Sequence, residues 1–321
     1  MTGMQIVVLA GGIGGARFLL GVRAAAREIG AEVTAIVNVG DDVTLHGLRI
    51  CPDLDSVMYT LGGGADPERG WGRVGETWAV KEELAAYEVE PSWFGLGDRD
   101  IATHLVRTRM LGQGFPLSAV TEALCKRWQP GIRLLPASDD RVETHAVVER
   151  DGETVALHFQ EWWIRYRAGL PTQRFVFVGA DTAKPSEAVL EALGRADIVL
   201  VAPSNPVVSI EPILAVTELR YALVDGKAPV VGLSPIIGGA PVRGMADKCL
   251  AVVGAECSAE GVGRYLKSRR DGGILDGWLV DDADAGAVVP GVEVRHRPLW
   301  MTDEATTAGM VRDAIQLGAA R

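Results

Sequence analysis

Cysteine is scarce: Cys51, Cys125, Cys249 and Cys257 are the only four, far apart, with no CxxC pair and no cysteine–histidine pair at zinc spacing. That excludes a disulfide framework or a cysteine-built zinc centre and points to reduced thiols in a cytosolic protein. Basic residues are in deficit, 32 Lys and Arg against 42 Asp and Glu, for a net charge of −10. A surface built to neutralise nucleic-acid phosphates is thereby excluded, and any anion must be gripped in a local pocket. Membrane-spanning runs are missing too. The charge-free stretch from Ala228 to Val242 is broken by Pro229, Pro235 and Pro241 and reads as strand plus loop, not as a span of about 20 apolar residues. The N-terminal MTGMQIVVLAGGIGG lacks a basic leader and turns to glycine where a signal peptide would continue, so it reads as a first core strand. No GxSxG, HExxH or kinase signature occurs, which removes most of the case for acyl hydrolysis, zinc proteolysis and kinase-type transfer.

What is present is an α/β pattern. With 321 residues and 48% hydrophobic content the chain can build one large core or two lobes around a cleft. Apolar, β-branched runs at Gln5 to Leu9, Val33 to Asn38, Phe175 to Val178, Ile198 to Ala202 and Pro229 to Leu233 alternate with helical spacing at Ala16 to Ile29, Ser186 to Leu193 and Pro212 to Leu223. Strand–helix alternation implies parallel pairing through right-handed crossovers. The expected fold is a doubly wound, mostly parallel Rossmann-like sheet with its ligand at the carboxyl ends of the strands. Residues 61–174 have another texture, holding six of the eight tryptophans (Trp71, Trp78, Trp93, Trp128, Trp162 and Trp163). They are expected to form a cap over the ligand edge of a core made of residues 1–60 and 175–321, with no linker marking the boundary.

Four motifs carry chemistry. Gly11, Gly12, Gly14 and Gly15, followed by Arg17, join the first strand to the first helix, where backbone N–H groups and the helix dipole favour a phosphate. Arg17 stands where a dinucleotide fingerprint needs its third glycine, and no GK[ST] completes a P-loop. Tight packing is the structural alternative for these glycines. After the second strand, Asn38 precedes Asp41 and Asp42, and Asp53 and Asp55 follow within fifteen residues of Asp41. Four carboxylates at a ligand edge suit Mg²⁺ bound together with substrate phosphates, while turn and N-cap roles compete for each acid singly. Gly97-Asp98-Arg99-Asp100 opens a helix from Ile101 to Leu111, placing Asp98 or Asp100 at its N-cap and Arg99 as a fork for phosphate oxygens; His104 reads first as structural. Ser204, Asn205 and Pro206 follow the strand from Ile198, and Ser234-Pro235 follows the next, both at the ligand edge where Ser and Asn read a base or ribose.

LAGGIGGARFLLG, NVGDD, HGLRICPDLDS, GDRDIATHLVR, APSNPVVSI and SPIIGGAPVRGMA, in that order from Gln5 to about Met301, resemble the 2-phospho-L-lactate transferase family of coenzyme F-420 biosynthesis in its actinobacterial, phosphoenolpyruvate-transferring form. The resemblance implies an α/β, usually dimeric, Mg²⁺-dependent enzyme that transfers a phosphate-linked three-carbon acid from a guanosine diphosphate-linked donor to the ribityl hydroxyl of the deazaflavin Fo, releasing GMP. Carried onto this chain, it matches Asp55 to the family's acid at the deazaflavin and metal site, Asp41 and Asp42 to its acidic turn, and Gly12, Gly14, Ser204 and Asn205 to the loops that hold the guanosine diphosphate moiety. Joined to the residue reading above, the expected site has Asp42 and Asp55 for metal and catalysis with Arg17 or Arg99 assisting, Asp55, Asn38 and Asp53 at the deazaflavin, and Gly11, Gly12, Gly14, Gly15, Arg17, Ser204, Asn205 and Pro206 at the nucleotide. No nucleic acid or membrane partner is expected. On this reading Asp55→Ala abolishes turnover and leaves the fold intact. A nucleotide-sensing protein of the same fold, binding without turnover, is the alternative.

Overall fold

The computed structural model describes residues 3–320. β1 (Gln5–Ala10), α1 (Gly12–Ile29) and β2 (Glu32–Val37) form the opening β-α-β unit. The small hairpin β3 (Val43–Leu45) and β4 (Leu48–Ile50) then leads into α2 (Pro52–Leu61). Three further helices, α3 (Ala79–Ala86), α4 (Asp98–Gly112) and α5 (Leu117–Trp128), precede β5 (Arg133–Pro136). A separate antiparallel sheet follows, in the order β7 (Glu153–His158), β6 (Glu143–Arg150), β8 (Thr172–Val178). Alternation then resumes with α6 (Glu187–Arg195), β9 (Ile198–Val201), α7 (Glu211–Leu214), α8 (Thr217–Val224) and β10 (Val230–Leu233). The chain ends through the hairpin β11 (Ile236–Ile237) and β12 (Ala240–Pro241), α9 (Ala246–Val252), α10 (Ala259–Leu266), β13 (Gly277–Val280), β14 (Glu293–His296) and α11 (Glu304–Ala319).

The core is a seven-stranded sheet in the order β14-β13-β10-β9-β1-β2-β5, with every neighbouring pair parallel. Helices cover both faces of such a sheet, so its central strands read as continuous apolar runs; β9 and β10 are buried at every residue. From β1 the chain moves outward to β2 and β5 on one side and, after returning, to β9, β10, β13 and β14 on the other. The order therefore reverses between β1 and β9, and doubly wound sheets bind ligands at such a switch point. α1 runs from this point to Gly30, whose left-handed backbone (φ 67°) ends the helix without a Cβ penalty.

Two strands sit elsewhere than the pattern predicts. The run at Phe175 belongs to β8, which pairs antiparallel with β6 and lies outside the core sheet; its half-exposed face is what an antiparallel strand with one wet side shows. Conversely β5, inside the segment read as cap, pairs parallel with β2 and closes one edge of the core. Only four residues long and ending in Pro136, it was too short to register as a periodic run. No helix among the described residues is long and apolar enough to cross a membrane. All four cysteines are free.

Candidate functional site

Loops at the carboxyl ends of β1, β2, β9 and β10, together with α2, α4 and the tryptophan-bearing segment, enclose a cleft of about 1,020 Å³. Its floor at the switch point is a contact between two loops. Ser204 Oγ donates to the Gly11 carbonyl (2.8 Å) and accepts from the Gly11 N–H (3.2 Å). A Cβ on Gly14 would stand 2.9 Å from the Pro203 carbonyl oxygen, and one on Gly15 2.7 Å from Ser204 Oγ, so both glycines allow the two loops to meet. Gly12 has a different reason, a positive φ of 63°, since a Cβ there would meet only Ser209 Oγ at an ordinary 3.7 Å. α1 begins here with no side-chain cap and no acid in its own first turn; its positive end meets the cleft with Asp53 of the next helix against it. Arg17 is exposed and lines the same wall.

Asn205 supplies Oδ1 to the N–H groups of Val207 and Val208 (3.0 and 3.3 Å), starting a wide helical turn in which Ile210 N–H reaches back five residues to the Asn205 carbonyl. Such widened turns recur at functional sites. Asn205 and Ser204 line the cleft; Pro206 is buried behind them and starts the turn.

The acids form two groups instead of one. Asn38, fully buried, donates Nδ2 to Asp41 Oδ1 (3.1 Å) and Asp53 Oδ2 (2.9 Å) and accepts from Gly40 N–H (2.8 Å). Its amide N–H groups join two carboxylates and the residue itself does not line the cleft, so it scaffolds the site. Gln160, at the end of β7, holds the other Asp41 oxygen (3.1 Å). Burial and the neighbouring Asp53 push the Asp41 carboxyl well up, and burial lifts Asp53 to about 6 against the Asn38 and Gly12 N–H groups that favour its anion. Asp42 points away: fully buried and paired with Arg49 (3.0 Å), it does not line the cleft, and burial lifts it to about 6.

The second group centres on Asp55. Pro52 starts α2 after Cys51, so Asp53 and Asp55 lie in its first turn, neither serving as a cap. Arg107 donates to Asp55 Oδ1, His104 Nδ1 lies 3.7 Å from Asp55 Oδ2, and His104 Nε2 lies 3.4 Å from Asp100 Oδ2. Tyr59 donates to the other oxygen of Asp100. Asp55 Oδ2 is buried with no hydrogen-bond partner. Asp55, Asp100 and His104 offer ligand atoms within 4.8 Å of one another. Arg107 and Tyr59 were not singled out in the sequence. Helical spacing was the available signal, since Tyr59 follows Asp55 by four residues and Arg107 follows His104 by three, each pair sharing one helix face.

Arg99 is not brought to this site. It is exposed, its peptide N–H bonds Glu76 (2.9 Å), and it does not line the cleft. Asp98 caps a different helix from the one expected: its carboxylate accepts from Ala79 and Val80 N–H at the start of α3 (both 3.0 Å). Of the six tryptophans in the middle segment, Trp71, Trp78, Trp93 and Trp163 line the cleft. Trp162 is core, and Trp128 packs on Tyr59 with ring centroids 4.7 Å apart.

A family model described as 2-phospho-L-lactate transferase CofD matches residues 6–307. A phosphoenolpyruvate transferase of Nocardia farcinica is 63% identical over 98% of this chain and 95% of its own length. Proteins of the same name from Mycolicibacterium smegmatis and Streptomyces griseus are 60% and 62% identical, each over 98% of both chains. Among solved structures, a member of the UPF0052 family from Bacillus halodurans shares the fold, with TM-score 0.60 and 20% identity over 97% of this chain and 99% of that one.

Proposed function

Because this chain belongs to the 2-phospho-L-lactate transferase CofD family, we propose that it moves the phosphoenolpyruvyl group, the one its actinobacterial relatives are named for, from a guanosine diphosphate-linked donor to the ribityl hydroxyl of Fo. The chain is an enzyme of coenzyme F-420 biosynthesis; the donor, the metal and the residue roles are the finer reading. The observation that carries it is that one cleft is lined by a glycine loop at a helix N-terminus, by buried carboxylates and by four tryptophans. A diphosphate suits the first and a planar deazaflavin the last.

In the reaction the ribityl oxygen bonds to the phosphorus bearing the acid, the bond from that phosphorus to GMP breaks, and the hydroxyl proton passes to a carboxylate. Asp55 suits that last role, because one oxygen is held by Arg107, the other is without a partner, and burial raises its carboxyl. Asp42 and Arg99 do not suit it, for neither lines the cleft. Hard carboxylate oxygens fit Mg²⁺, and Asp41 and Asp53, buried acids on the cleft wall drawn together by Asn38, would hold it. When bound, the metal neutralises charge on the diphosphate oxygens. Arg17 and the α1 N-terminus, which line the same cleft, do the same. A homodimer in the cytosol remains the expected state of the enzyme.

Titration with GDP and Mg²⁺, then with Fo followed by tryptophan fluorescence, tests this reading. Binding of both, with UDP and NAD excluded, supports it; GDP binding with no Fo binding favours a sensor. Asn205→Ala is expected to cost about 1 kcal/mol of turn stability and to weaken GDP more than Fo. Equal losses for the two ligands would assign Asn205 to structure alone.

A further inference from the structure

Arg107 is 1% exposed, and a guanidinium taken that far from water is expensive unless its donors are placed. Three acceptors meet it: Asp55 Oδ1, His104 Nδ1 (3.1 Å) and the Arg49 carbonyl (3.3 Å). Its Nε is buried with no partner, so the group is satisfied only through its fork. Arginine is a donor at every nitrogen, so the His104 Nδ1 facing it must be the unprotonated, accepting nitrogen. The ring proton then sits on Nε2, the atom turned toward Asp100 Oδ2 at 3.4 Å. A proton on both ring nitrogens would set two donors against each other. A metal on Nε2 would need the proton on Nδ1 and create the same conflict, so the Asp55–Asp100–His104 cluster does not fit a metal through its imidazole while Arg107 is in place.

We infer that Arg107 is the positioning residue of the acid cluster: it holds Asp55 by one oxygen, leaving the other without a hydrogen-bond partner, and holds His104 as the neutral Nε2–H tautomer that faces Asp100. Asp100 is fixed on its other oxygen by Tyr59, so the Arg107–Asp55 and Tyr59–Asp100 hydrogen bonds tie α2 and α4 together, with His104 Nε2 and Asp55 Oδ2 buried between them without hydrogen-bond partners. The role of Asp55 in turnover rests on the transferase reading; the tautomer does not.

Two measurements test this on the full chain. The first is the ¹⁵N spectrum of ring-labelled histidine at pH 7, with His104 assigned from the signal lost in His104→Gln. The expected pattern is a neutral ring protonated at Nε2 in the wild type, and a mixed tautomer in Arg107→Lys, whose one nitrogen cannot stand at the positions of both Nη1, which meets His104 and the Arg49 carbonyl, and Nη2, which meets Asp55. A wild-type His104 protonated at Nδ1, or at both nitrogens, overturns the inference whatever the enzyme does. The second is steady-state transfer to Fo. Arg107→Lys is expected to lose roughly 10- to 100-fold in kcat, with KM for the guanosine donor within threefold, since the nucleotide wall is built from other loops. Wild-type kcat in a folded Arg107→Lys overturns the positioning role. If the wild type itself transfers nothing to Fo, the transferase reading falls and the spectrum alone decides Arg107. Should Arg107→Lys not fold, the wild-type spectrum still decides.

Discussion

Asp55→Ala is expected to lose two things at once. Transfer to Fo should fall by about 10²- to 10⁴-fold, the usual contribution of a positioned proton acceptor. The fold should also weaken by about 3–5 kcal/mol, because Arg107 is left buried without its carboxylate. This departs from the sequence-based expectation of an intact fold, and the reason is specific: nothing in PDLDS shows that an arginine 52 residues later is buried against Asp55. Asp55→Asn separates the two effects. It keeps an oxygen for Arg107 and should recover part of the stability while remaining as inactive. Chemical denaturation and a turnover assay on both variants check it; wild-type turnover in either would remove Asp55 from the mechanism.

Asp53→Asn should move stability the other way. Burial lifts the Asp53 carboxyl to about 6 from an ordinary value of 3.8, so the folded chain binds this proton more tightly than the unfolded one. A raised acid contributes its full stability below the unfolded value, and that contribution disappears as pH rises through about 6. At pH 7 the ionised Asp53 therefore costs the metal-free protein on the order of 2–3 kcal/mol. Asparagine keeps an acceptor for Asn38 Nδ2 and removes that cost. The expected result is a higher melting temperature at pH 7, little difference at pH 4, and a large loss of activity. A functional site held against stability behaves in this way. An unchanged or lower melting temperature at pH 7 would show that Asp53 is not electrostatically strained. The gap between the wild type and Asp53→Asn should therefore narrow from pH 7 to pH 5; in the wild type Asp42, also lifted to about 6, works in the direction of Asp53, while His158, lowered by burial to about 4, works against it.

The central strands β1, β2, β9 and β10 were legible because strands buried on both faces must be apolar at successive positions, and that pattern needs no tertiary information. The loops after them were legible for a related reason: in a doubly wound sheet they can only gather at one edge. Gly11 to Gly15, Asp53, Asp55, Ser204 and Asn205 were placed at that edge in that way, and the order of the motifs pointed to the family that the whole-chain match shows. What the sequence could not decide is direction. Asp41 and Asp42 are neighbours, yet only Asp41 faces the cleft while Asp42 turns to Arg49; the choice depends on the β3–β4 hairpin carrying Arg49 back to it. Asn38 reads as a ligand residue until its amide is seen joining Asp41 to Asp53. Arg99 reads as a phosphate fork until α4 rotates it to solvent and turns Asp100, His104 and Arg107 inward instead. Periodicity determines which residues share a face of a helix, and so the fold and the edge that carries the site were set by local pattern. Which face meets which carboxylate was settled only by packing α4 against α2, a contact between segments about 50 residues apart.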